Sequence, residues 1–307
     1  MSKFKYGVLV KTLINLAWPY SASACMKVAP MPTYFRSNDQ NKNATSNEKF
    51  AKYWPPSKSV EEILEEADRL YEEKNYIQVY EILNRLKYNN NSNVKWRIAR
   101  VLYQATVDNV LPLDIEREMI NEAYELLLEE ATIDNKNANV HKWFAIACDC
   151  RHRLLGLEHR IRGYHTVLKH LRLACELNPD DVTACYLLGK LCFDMADLGG
   201  LKRLIAKVLY GDPPDCNFEE AYKYLSRFDQ LFEKNHLASL YLLGKTCYKL
   251  QQFYKAKYYL SIACYITPRS ECEKNYVCRA KQLLVKLEKY KLGKDVLFPD
   301  CGCRTKT

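Results

Sequence analysis

The chain has 307 residues with only 10 glycines and 11 prolines. That is about 7% turn residues against a typical ~12%, which argues against an all-β sandwich or barrel needing a turn every ~8–12 residues. No run of ~18 uncharged apolar residues exists, which excludes a multi-span helical membrane protein. The net charge of +9 is uneven: residues 1–38 hold Lys3, Lys5, Lys11, Lys27 and Arg36 and no acid, so nine less five leaves +4 for the rest. A nucleic-acid-binding domain would carry a stronger, clustered excess.

In chain order, residues 1–36 form a basic N-terminal segment. Ala22-Ser23-Ala24 before Cys25 imitates a secretory cleavage site, but Lys11 and Asn15 interrupt the apolar stretch. A basic, acid-free start also suits a mitochondrial presequence or an outer-membrane anchor, and a plain tail is the third reading. Residues 37–58 read as a polar linker. A helical-repeat domain is expected over 59–293, and 294–307 as a flexible tail.

Within 59–293 apolar residues recur at helical spacing in pairs of helices. The earliest pair, 59–88, sets Ala67, Leu70 and Tyr76 against Val79, Leu83 and Leu86. In 93–135, Trp96, Ala99 and Tyr103 face Ala123 and Leu127. In 140–179, Trp143, Ile146, Ala147 and Cys150 precede Leu171, Ala174 and Pro179. In 182–235, Gly189 opens the unit and Ala221, Leu225 and Phe228 follow some twenty residues late; the stretch between reads as an extension of the first helix ending at Gly211 and Pro213-Pro214.

The clearest unit is 237–270, where Gly244, Ala256, Ala263 and Pro268 have tetratricopeptide spacing. Small residues let two antiparallel helices cross closely, and the proline stops the second. Residues 273–290 predict a capping helix, since a terminal repeat cannot leave its apolar face open. The expected fold class is all-α: tetratricopeptide-like helical hairpins forming a right-handed solenoid with a C-terminal capping helix.

The segments VEEILEEADRLYE (60–72), WRIAR (96–100), HKWFAIA (141–147), HLRLACELNPDDVT (170–183), LLGKLCF (187–193), RLIAKVLYGDPPD (203–215) and LLGKTCYKL (242–250) resemble the regulator of microtubule dynamics proteins in order and spacing. The resemblance implies a repeat domain associated with microtubules or spindle poles in the cytoplasm. Some members of that family sit on mitochondria and tether membranes or bind lipid, which supplies the alternative expectation.

No catalytic constellation is present: CxxC, HExxH, GxSxG, P-loop and GxGxxG motifs are all missing, so neither an enzyme nor a cofactor is expected. Cys148, Cys150 and His152 imitate metal spacing, but i and i+2 point about 200° apart on a helix, so the three cannot share an ion. The thirteen cysteines fall mostly in apolar stretches and read as core thiols of a reducing compartment, leaving no metal site. Cys301 and Cys303 remain open to soft metal or a lipid.

Partner binding is expected on the wall lined by the first helix of each pair. The repeat frame puts Arg97, Phe144, Arg151, Tyr186, Lys190, Tyr241, Lys245 and Lys249 there. Aromatics with amines at i+4 in the near-copies YLLGKLC and YLLGKTC would suit an acidic extended segment such as a tubulin tail. A second basic surface is expected from Arg153, Arg160, Arg162, Lys169, Lys202, Arg203 and Lys207, facing tubulin's acidic surface or anionic lipid heads.

Overall fold

The computed structural model describes residues 58–108, 111–133, 136–232, 236–290 and 292. The leader 1–36, nearly all of the linker and the tail 294–307, with Cys301 and Cys303, lie outside the described residues.

The regular structure described is helical throughout. In order it comprises α1 (Val60–Glu72), α2 (Tyr76–Asn84), α3 (Ser92–Asp108), α4 (Leu113–Thr132), α5 (Ala138–Leu155), α6 (Leu157–Leu177), α7 (Val182–Ala196), α8 (Gly200–Tyr210), α9 (Phe218–Leu231), α10 (Leu237–Lys249), α11 (Phe253–Tyr265) and α12 (Glu271–Leu287). The fold is the expected all-α arrangement of helical hairpins. It divides into two compact units at Gly156 and Leu157. The helices of the expected 140–179 repeat therefore fall on either side of that boundary.

In the N-terminal unit α3 packs on α1, α2, α4 and α5. Ala67, Leu70, Tyr76, Val79 and Leu83 are buried between the first hairpin's helices, and Trp96, Ala99, Ala123 and Leu127 in the second. Ser59 starts α1 through a capping box: its hydroxyl accepts from the Glu62 amide at 3.2 Å and the Glu62 carboxylate accepts from its own amide at 2.8 Å, satisfying two donors that the helix cannot.

In the C-terminal unit α7 packs on α6, α9 and α10, and α10 on α11 and α12. The expected close crossings are present. A Cβ on Gly189 would lie 2.8 Å from Leu225 Cγ and 2.9 Å from the Leu225 amide nitrogen, and one on Gly244 would lie 2.6 Å from Leu260 Cγ. Ala256 and Ala263 are fully buried at the second crossing. The cap α12 lies on α10 and α11, with Ala280 and Leu287 inside.

The hairpin turns after α1 and α10 repeat one geometry. The amides of Lys74 and Asn75 donate to Tyr71 and Leu70 carbonyls, and those of Gln251 and Gln252 to Tyr248 and Cys247. Lys74 and Gln251 both sit at φ 60°, the left-handed residue of a Schellman motif.

One expectation is corrected. The stretch after α7 is no extension of it: α7 stops at Ala196 and a separate α8 starts at Gly200. Gly199 and Gly200 have the lowest helix propensity next to proline, and Gly199 is the N-cap, with φ −58° and ψ 151°. Arg203 ties α8 back, its guanidinium donating to the Pro213 and Pro214 carbonyls at 3.4 and 3.2 Å. Tyr210 packs on the buried cluster of Ile161, Tyr164 and Met195.

Candidate partner-binding site

In the N-terminal unit, Asp68 on α1 receives two cations from α3. Arg97 donates from Nε at 3.0 Å and from Nη2 at 2.6 Å, and Arg100 from Nη2 at 2.6 Å. Three residues apart, the two arginines share a helix face. Their guanidinium carbons lie over aromatic rings, Arg97 4.2 Å from Trp96 and Arg100 3.7 Å from Tyr71. Burial raises the Asp68 pKa, but hydrogen bonds and charge from the arginines outweigh it and hold the carboxyl below the usual range. Two cations on one anion leave one positive charge in excess, and Arg100 Nε is buried without a partner.

The C-terminal unit repeats the arrangement with different residues. Asp197, just past α7, receives Lys245 and Lys249 from α10, each at 2.6 Å. Four residues apart, the lysines again share a face. Lys245 lies 4.8 Å from the Phe193 ring centroid and Lys249 5.6 Å from that of Phe218. Burial pushes the Asp197 carboxyl up, and the two lysines more than reverse it. Here too one cation exceeds the acid.

The other expected groove residues are placed differently. Phe144 is 2% exposed and packs on Tyr124 of α4 at 5.4 Å. Arg151 lies over Tyr124 and pairs with Glu125 at 3.5 Å, so both face α4. Tyr186 is packed between Phe228 and His236. Tyr241 is 5% exposed and lies against Tyr276 of the cap at 5.2 Å. Lys190 is paired with Asp194 at 2.6 Å. The amines thus carry partners and the aromatics Phe144 and Tyr241 are core, because YLLGK repeats serve the helix crossing first: tyrosine at that register packs on the neighbouring hairpin.

The second basic set is dispersed. Arg153 belongs to the N-terminal unit and pairs with Glu116 at 2.8 Å. In the C-terminal unit Arg162 pairs with Glu158, Arg203 with Asp215 and Lys207 with Asp212. Arg160 lies 5.7 Å from the Tyr164 ring, Lys169 is exposed, and the Lys202 side chain lies outside the described residues.

Sequence reasoning missed Asp68, Arg100 and Asp197. The signal was available only as pairing between helices: an acid on or just past the first helix of one hairpin and two cations at i,i+3 or i,i+4 on the first helix of another. Cys148 and His152 are adjacent, Sγ to Nδ1 3.6 Å, at i,i+4. Burial pushes the Cys148 thiol up to about 12, so it stays protonated.

Residues 63–288 match the family model described as Regulator of microtubule dynamics protein 1-3. Regulator of microtubule dynamics protein 1 of Bos taurus is 31% identical over 225 residues, 73% of this chain and 71% of that protein. Its Mus musculus counterpart is 30% identical, over 74% of this chain and 75% of that one. Regulator of microtubule dynamics protein 3 of Xenopus laevis is 30% identical over 54% of this chain and 35% of its own length. Among solved structures, a tetratricopeptide protein of Thermus thermophilus superposes at a TM-score of 0.43 and 15% identity, over 73% of this chain and 100% of that one. A match spanning 63–288 takes in all twelve helices apart from the first turn of α1, and with it the chain belongs to the regulator of microtubule dynamics protein family.

Proposed function

We propose that the chain is a non-enzymatic repeat protein that regulates microtubules by binding acidic segments of tubulin on the first helices of its hairpins. The observation that carries this reading is the repeated triad in which two cations share one carboxylate, Arg97/Arg100 on Asp68 and Lys245/Lys249 on Asp197. A glutamate side chain approaching either triad meets an excess cation already oriented by its pairing and backed by aromatic carbon, so little side-chain entropy is lost on binding.

Co-sedimentation of the full chain with polymerised tubulin tests it, with and without removal of the acidic tails. Pelleting is expected with intact microtubules, falling between 50 and 200 mM salt because charge attraction through solvent is screened over about 8–10 Å. Arg97→Gln and Lys249→Gln each leave the acid one cation, so they remove the excess charge without stranding a carboxylate. Together they are expected to abolish pelleting at unchanged helicity. Pelleting unaffected by the double variant, or no pelleting at low salt, overturns the reading.

A second reading, contact with an anionic membrane surface, is favoured by one observation. Leu201, Leu204 and Val208 of α8 are 73%, 56% and 74% exposed and share one face at i, i+3 and i+7, beside Lys207. An interfacial amphipathic helix has that pattern. Flotation with phosphatidylserine vesicles, lost in Leu204→Ser/Val208→Ser, would support it; no flotation retires it.

A further inference from the structure

Cys192 on α7, Cys216 in the loop before α9, and Glu220 in the first turn of α9 meet at one point. Their two sulfurs and a carboxylate oxygen all lie within 4.8 Å of one another, and among the described residues no other group of three or more metal-ligating side chains does so. We infer that these three side chains form a site for a soft divalent cation of the zinc class, with a fourth position left to a solvent ligand.

Two thiolates select zinc over the hard cations magnesium and calcium, which take oxygen. Zinc–sulfur bonds of about 2.3 Å and zinc–oxygen bonds of about 2.0–2.2 Å put tetrahedral ligands roughly 3.5–3.8 Å apart, so from separations within 4.8 Å the side chains need to close by about an ångström at most. Cys216 sits in the non-helical stretch 211–217, where such a movement breaks no helix hydrogen bond.

Arg172 of α6 completes the arrangement. Its Nε donates to Glu220 Oε1 at 2.8 Å and its Nη2 to Oε2 at 2.7 Å. A carboxylate offers about four lone pairs; the guanidinium takes two, which fixes the plane of the group and leaves a lone pair for a cation. Two thiolates and one carboxylate carry three negative charges, the ion two positive and Arg172 one, so the filled site is neutral. A neutral assembly avoids the desolvation cost of an unbalanced buried charge. Arg172 is then a positioning residue of the kind that tunes metal sites.

Access runs through Cys216: Cys192 is buried, Cys216 and Glu220 are half-buried, and Asp212 and Asp215 of the same loop are exposed. An ion there would clamp both ends of the excursion that carries α8, joining α7 to the start of α9.

Cobalt(II) titration of the reduced, chelator-treated full chain tests the site. One equivalent is expected to give tetrahedral cobalt d–d bands with thiolate charge transfer, displaced by zinc. Cys216→Ser should remove these bands at unchanged helicity. Glu220→Gln and Arg172→Gln should weaken affinity about 10–100-fold, and Cys301→Ser/Cys303→Ser should leave the bands intact. Zinc should also slow proteolysis within 199–217. The inference is overturned if the bands are missing, if they persist in Cys216→Ser, or if the reduced chain takes up no cobalt and oxidant merely joins Cys192 to Cys216 with loss of two hydrogens.

Discussion

Replacing Gly244 by alanine sets two terms against each other. In an open helix the change would stabilise by about 1 kcal/mol, since glycine has the poorer propensity. Here the new methyl would stand 2.6 and 2.8 Å from Leu260 Cγ and Cδ2 and 3.2 Å from the Leu260 amide nitrogen. Overpacking of this sort costs about 1–3 kcal/mol, so a net loss of up to about 2 kcal/mol is expected. Gly189 is tighter in the respect that matters. Its methyl would meet the Leu225 amide nitrogen at 2.9 Å, and backbone cannot swing aside.

Gly189→Ala should therefore cost more than Gly244→Ala. Gly200 has nothing within 4 Å of its Cβ position, so Gly200→Ala should be neutral or stabilising. Urea denaturation followed by circular dichroism measures all three. Truncating Leu260 to alanine removes the two closest atoms, so the Gly244/Leu260 double-mutant cycle should show a favourable coupling of about 1 kcal/mol. The Gly189/Leu225 cycle should show less. A Gly244→Ala protein as stable as Gly200→Ala would refute the close crossing.

Four further outcomes follow from single sites. His236 caps α10, its Nδ1 accepting from the Ser239 amide at 3.2 Å, and burial lowers its pKa. The unfolded chain then binds the proton more readily, so stability should fall as pH drops from about 7 to 5; His236→Asn, which still caps, should flatten that dependence. Asp197 is depressed, so its contribution is present above the unfolded value of about 3.9 and lost as pH falls through the lower folded value; in acid titration, Asp197→Asn should remove that loss while destabilising the neutral protein by about 1–3 kcal/mol. Gln251→Gly should stabilise by about 1 kcal/mol in thermal melts, because the left-handed conformation costs a side chain about 1–2 kcal/mol. Maleimide mass mapping should label exposed Cys278 quickly and Cys148 only on unfolding.

The hairpins could be read from the sequence because their signal is local and volumetric. Gly244, Ala256 and Ala263 announce a crossing by their size, and the burial of all three follows from packing alone. The break before α8 was harder to read, since LKRLIAKVL continues the helical period of α7 and only Gly199-Gly200 interrupts it. Surface roles were the least legible. Nothing in YLLGK distinguishes Tyr241, held inside by Tyr276 thirty-five residues later, from an exposed tyrosine. The thiol cluster was invisible for the same reason: Cys192 and Cys216 are separated by a helix, and motif spacings of two to four residues cannot register them.

The two cation triads share an arrangement and not a sequence motif. One uses arginines at i,i+3 and an acid within α1; the other uses lysines at i,i+4 and an acid beyond the end of α7. A repeated sequence motif would produce the same residues at the same register, and here neither is kept. What is kept is an acid on the first helix of one hairpin or its end, two cations one turn apart on the first helix of another, and aromatic carbon beside them. The second cation on each acid adds charge repulsion that the carboxylate must screen. On the proposed reading the second cation is the part of each triad that an acidic partner would use. Arg97→Gln and Lys249→Gln should accordingly leave melting temperature nearly unchanged while weakening tubulin binding. A pair of variants that lost stability and binding in proportion would show that the second cations serve the fold instead.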